Sequence, residues 1–126
     1  MKVLAIALAS MFVVCPAFAG KEKCKDVKIV VVNDSDRDIK VTDIKYYDTT
    51  ISDWRNENAV DGKVALEGGG TAEYTRGLEE VLNDPGMKVK VEYKTSIGGK
   101  WKDAKWSSPS PAQLCTEGTT YTVTVN

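Results

Sequence analysis

Residues 87–95 alternate without a break. Met87, Val89, Val91 and Tyr93 fall on one side, and Lys88, Lys90, Glu92 and Lys94 on the other. Successive side chains of a β-strand point to opposite faces, so this is a strand with one face in a core and the other in water. At 3.6 residues per turn the four apolar residues would scatter around a helix instead. The rest of the chain repeats the theme in short pieces, and that repetition limits the architectures open to it.

Residues 27–32 form a β-branched run that is nearly all apolar, as in a strand buried on both faces. Asn33-Asp34-Ser35-Asp36 follows as a turn. Ile39 and Val41 then alternate with Lys40 and Thr42, but the next apolar residues are Ile44 and Tyr46. The slip turns side chains to the other face, so it predicts a β-bulge near Thr42 and Asp43. Short strands are expected at 63–66 and 71–75, either side of Gly68-Gly69-Gly70. Gly98-Gly99 should turn residues 100–106 back on 87–95 as a hairpin. The last strand, 119–125, points Tyr121, Val123 and Val125 inward and Thr120, Thr122 and Thr124 outward.

Two segments lack strand patterning. Residues 50–60, which contain Trp54, read as a loop with one helical turn. Leu78, Val81 and Leu82 have helical spacing before Asn83-Asp84-Pro85-Gly86, which predicts one short connecting helix. The fold expected is all-β: an antiparallel β-sandwich of about seven short strands, with a small barrel as the second choice.

The beginning of the chain differs from the rest. Lys2, an apolar run over 3–14, Pro16 and Ala17-Phe18-Ala19 are ordered as in a secretory signal peptide cleaved after Ala19. The expected organisation is a leader over 1–19 and a single domain over 20–126. Two of the three cysteines, Cys24 and Cys115, then remain. In an oxidising compartment they have one intramolecular pairing, a disulfide that ties the start of the first strand to that of the last. The chain is expected to be secreted or periplasmic, with no transmembrane segment after cleavage.

One local resemblance stands on Val89-Lys90-Val91-Glu92-Tyr93, Trp101 and Gly118-Thr119-Thr120-Tyr121-Thr122-Val123. These residues resemble the middle and late strands of fibronectin type III modules, over about a third of residues 20–126. The resemblance implies a sandwich and nothing about activity.

The chain has no histidine. That excludes Ser-His-Asp and Cys-His nucleophilic sites and histidine-ligated zinc. Gly68-Gly69-Gly70 lacks the lysine and following helix of a phosphate-binding loop. Asp53 and Glu57 would share a face only if their segment were helical, and a solvated acidic loop is the plainer reading. Asp34, Asp36 and Asp38 alternate like calcium ligands, but Ile39 and Lys45 stand where an EF-hand needs glycine and glutamate. Asn33-Asp34-Ser35 is a glycosylation sequon. No catalytic residue, metal or cofactor is expected.

Charge and aromatic residues give the functional expectation. Net charge is −1, yet residues 87–106 hold six lysines against Glu92 and Asp103. Trp101 and Trp106 lie among Lys100, Lys102 and Lys105, and Lys90 joins them if the hairpin forms. Aromatic and basic side chains together suit a sugar or a protein partner, although one tryptophan filling the core is the competing reading. The expected role is an exported, non-enzymatic binding module. Its partner-binding residues are Trp101, Trp106, Lys100, Lys102 and Lys90, and its target is a protein or a cell-envelope glycan. A secreted effector or enzyme inhibitor is the alternative, and a small carboxylate-dependent hydrolase comes third. A chain without overall basic charge is a poor match for nucleic acid.

Overall fold

The computed structural model describes residues 24–57, 62–78 and 84–126. The expected leader lies outside the described residues, as do Val81 and Leu82 of the expected helical turn. Among the described residues the chain is all-β, with no helix.

The described residues form eight strands, against about seven expected: β1 (Val27–Asn33), β2 (Ile39–Asp48), β3 (Asp53–Asn56), β4 (Val64–Ala65), β5 (Gly70–Arg76), β6 (Val89–Ile97), β7 (Lys100–Trp106) and β8 (Thr120–Val125). They make two sheets. The smaller has the order β5-β1-β8, and the larger β3-β2-β6-β7, with β4 paired to β2. All pairs are antiparallel except β1 with β8, which run parallel. The expected antiparallel arrangement holds for every pair but this one. Parallel neighbours need a long connection, and β1 and β8 are joined through the whole domain.

The inner faces of the two sheets meet in one cluster. Val27, Ile29 and Val31 of β1 and Tyr121, Val123 and Val125 of β8 pack with Ile39, Val41, Ile44 and Tyr46 of β2 and Val89 and Val91 of β6. Full burial of each such side chain contributes about 1.5–3 kcal/mol. β1 departs from the expectation of two buried faces: Lys28 is exposed and Val30 and Val32 are half-buried. Their outer face is shared with threonines of β5 and β8, whose methyl and hydroxyl groups leave it partly wet.

Cys24 and Cys115 are joined, with Cα atoms 5.2 Å apart. Both are fully buried. The bond clamps the chain just before β1 to the segment leading into β8. Backbone bonds continue the clamp, from the Leu78 amide to the Cys24 carbonyl (2.7 Å) and from the Lys28 amide to the Thr119 carbonyl (2.9 Å).

The bulge expected near Thr42 is present. Val41 pairs with Tyr93 and Asp43 with Glu92, so Thr42 is the extra residue. Residues 53–56 are β3 and not part of a loop with a helical turn. Asp48, fully buried at the end of β2, explains why. Its carboxylate accepts the Thr50 amide and hydroxyl and the Arg55 Nε, which folds the chain back and holds β3 against β2. Burial alone would raise the Asp48 pKa, but the bonds from Thr50 and Arg55 outweigh it and hold the group below its usual value.

Candidate functional site

β7 lies at the edge of the larger sheet, and all seven of its residues are exposed. Its pairing with β6 carries a second bulge. Trp101 pairs with Ser96 and Lys102 with Thr95, but then Lys105 pairs with Tyr93 and Trp106 with Glu92. Asp103 and Ala104 together oppose Lys94. Asp103 takes φ +62°, the left-handed conformation that the first residue of such a bulge adopts.

This extra residue decides which face each side chain takes. Directly paired residues of an antiparallel ladder share a face. Ser96 and Glu92 are on the outer face of β6, so Trp101 and Trp106 are there as well. Trp54 of β3 pairs with Tyr47, which is also outward. All three tryptophans of the chain therefore stand on the outer face of one sheet. None fills the core: Trp101 and Trp106 are 36% and 37% exposed, and Trp54 is half-buried.

Lysines fill the space between the rings. The Lys90 ammonium lies 4.3 Å from the Trp54 ring centroid and 5.1 Å from that of Trp106. Lys45 is 5.0 Å from Trp106, Lys40 is 5.4 Å from Trp101, and Lys88 is 5.1 Å from Tyr47. Each contact contributes about 0.5–1 kcal/mol at an exposed site. The Tyr47 and Trp54 rings meet edge-on at 5.2 Å. The result is a ladder in which ammonium groups and aromatic rings alternate across four strands.

The register separates the five residues expected to bind a partner. Trp101, Trp106 and Lys90 are together on the outer face. Lys100 and Lys102 pair with Ile97 and Thr95, and so point from the opposite face of β7. Sequence reasoning also missed Trp54, Tyr47, Lys40 and Lys45. The four residues of β3 are too few to show alternation, and the partners of β2 depend on a register that both bulges shift.

The other sequence candidates resolve more simply. Asn33 is fully buried, and its amide donates to the carbonyls of Arg37 (2.7 Å) and Ala65 (2.9 Å). It is a structural turn residue with no room for a glycan. No group of three or more metal-ligating side chains occurs among the described residues, so Asp34, Asp36 and Asp38 do not converge. Asp38 instead accepts the Glu67 amide at 2.9 Å. Glu57 borders an open cleft of about 510 Å³ with Tyr46, Trp54 and Arg55. Burial raises its pKa against the opposing pull of Arg76, 3.8 Å away. Asp53 does not line that cleft. On an extended strand the two carboxylates sit about 13 Å apart along the backbone, at roughly 3.3 Å per residue.

Comparison with protein-family models, curated protein sequences and solved structures finds no match to this chain. Among the described residues no helix is long and apolar enough to cross a membrane.

Proposed function

We propose that this chain is an exported, non-enzymatic binding module, folded as a β-sandwich, that holds a cell-envelope glycan on the outer face of its larger sheet. The observation that carries the reading is the gathering of Trp54, Trp101 and Trp106 on that one face. Two of these rings are more than one-third exposed although the core is well filled by smaller residues. Exposed indole surface suits the C–H groups of sugar rings.

Export is supported by the leader-like order of residues 1–19 and by the Cys24–Cys115 bond, which persists where thiols are oxidised. A glycan is favoured over a protein by the make-up of the face. Its exposed large apolar residues include Trp101 and Trp106, with Val64, which pairs with Lys40, as an aliphatic neighbour. Lysine is depleted at protein interfaces, so a face on which ammonium groups alternate with rings suits a sugar chain better.

The test uses immobilised envelope polysaccharides and the chain without residues 1–19. Trp54→Ala with Trp106→Ala should abolish retention while the unfolding transition stays cooperative. Lys100→Gln with Lys102→Gln, on the reverse face, should leave retention intact. Retention of the tryptophan variant at the wild-type level overturns the reading. Retention on a protein column alone, still dependent on the tryptophans, replaces the glycan with a protein.

A further inference from the structure

The aromatic face carries more positive charge than folding calls for. Lys40 pairs directly with Lys94 across β2 and β6, and Lys45 pairs directly with Lys90. Like charges placed directly opposite on a sheet are destabilising. The rung between them, Asp43 with Glu92, is acidic, but its carboxylates are engaged elsewhere. Glu92 accepts the Thr42 hydroxyl at 3.0 Å, and Asp43 accepts the Ile44 amide at 2.9 Å. Among the described residues no carboxylate comes within ion-pairing distance of Lys40, Lys45, Lys88, Lys90 or Lys94. Five ammonium groups thus share one face with two carboxylates and pair with neither.

Rings lie against four of these ammonium groups, those of Lys40, Lys45, Lys88 and Lys90. Lys90 lies within reach of both Trp54 and Trp106, and Lys45 is also close to Trp106. A lysine held over a ring has lost part of its hydration and rotamer freedom before any ligand arrives. The strongest partners for its N–H groups are anionic oxygens.

We infer that the site takes an acidic polysaccharide, in which carboxylates carried along the sugar chain pair with the lysine rungs while the sugar rings lie along the tryptophans. This rests on the binding face proposed above and names the charge class of its ligand. A repeating polyanion fits better than one anion. Lys45 with Lys90 and Lys40 with Lys94 are separate rungs on either side of the Asp43 and Glu92 rung, so a single group cannot reach both. An anionic membrane fits less well, because the rings alternate with ammonium groups and form no continuous apolar wedge.

The experiment compares two polymers with one backbone, polygalacturonate and its fully methyl-esterified form. Binding to the chain without residues 1–19 is followed by calorimetry. Polygalacturonate should bind and the ester should not. Binding should weaken steeply as ionic strength rises from about 0.01 M to about 1 M, over which the screening length falls from about 30 Å to about 3 Å. Lys45→Gln with Lys90→Gln should weaken binding about tenfold or more, as expected for the loss of two charge-assisted contacts. Lys90→Arg should restore most of it, which separates lost charge from lost fold. Equal binding of both polymers overturns the inference but leaves the glycan face standing. Binding only to vesicles of equal parts phosphatidylcholine and phosphatidylglycerol overturns it in favour of a membrane. If neither polymer binds while envelope glycans are still retained through the tryptophans, the charge class is wrong and the face is right.

Discussion

Trp101 and Trp106 are five positions apart on one strand, and both rise from the same face of the sheet. In a regular strand an odd separation places side chains on opposite faces. The extra residue in β7, with Asp103 at φ +62°, restores the parity.

Removing Asp103 should undo that arrangement. The strand would become regular, and Trp101 would turn to the reverse face, away from Lys40. Asp103→Gly should keep the bulge and relieve a left-handed conformation that costs a non-glycine residue roughly 1–2 kcal/mol. The deletion should therefore weaken glycan retention, and the glycine variant should retain it with equal or higher stability. Retention assays and denaturant melts on the two variants check this.

The turn from β2 to β3 should respond to acid through Asp48. A carboxylate whose folded pKa lies below its unfolded value near 3.9 contributes stability that is present above that value and lost as pH falls through the folded one. Asp48→Asn should lower stability at neutral pH by about 1–3 kcal/mol, because the amide cannot satisfy Thr50 and Arg55 together. The variant should also show a flatter loss of stability below about pH 4. Glu57 has the opposite sign, since its folded pKa is raised. The folded state then binds protons more readily, and Glu57 disfavours folding at neutral pH until acid protonates it. Glu57→Gln should leave stability at pH 7 unchanged or higher. Denaturant midpoints across pH 2–8 distinguish the two residues.

Two glycines should differ in how well they tolerate alanine. A methyl group on Gly86 would meet Thr49 Cγ2 at 2.6 Å, whereas on Gly70 it would meet the Leu66 backbone nitrogen and oxygen at 2.5 Å. Side chains can give way and backbone cannot without moving a strand. Thr49 is held by Asp84, which accepts its amide at 2.8 Å and its hydroxyl at 2.6 Å. Thr49→Ser keeps both bonds and removes the clashing methyl. Gly86→Ala should cost about 1–3 kcal/mol and be rescued by Thr49→Ser. Gly70→Ala should cost more and have no such rescue.

Loss of the disulfide should be strongly damaging, because both cysteines belong to the core. The bond closes a loop of 91 residues. Replacing Cys24 and Cys115 by alanine should cost about 2–5 kcal/mol. Because β8 is an edge strand held to β1, the chain around it should exchange amide protons first. Hydrogen exchange on the oxidised and doubly substituted forms reads this directly.

Much of the fold is legible in the sequence because strand alternation is a local property. Met87 to Tyr93, the slip at Thr42 and the threonine alternation of β8 can each be read within a few residues. The parallel pairing of β1 with β8 cannot, although the positions of the two cysteines hint at it. β3 was hidden because its pairing depends on a buried carboxylate, Asp48, and not on its own pattern. The Gly98-Gly99 hairpin is legible as well, but the faces of its lysines are not. The face each one takes depends on a bulge at Asp103, where no glycine marks the left-handed residue. Trp54 joins the site only through pairing between strands, which no single segment encodes.

The central claim is that the ligand lies on the face shared by the three tryptophans. Their indole N–H signals can be followed in ¹H–¹⁵N spectra as polygalacturonate is added. All three signals should shift together, along with the amides of β2 and β6, while Lys100 and Lys102 on the reverse face move little. Shifts confined to the reverse face or to the smaller sheet, with the indole signals unmoved, would contradict the account.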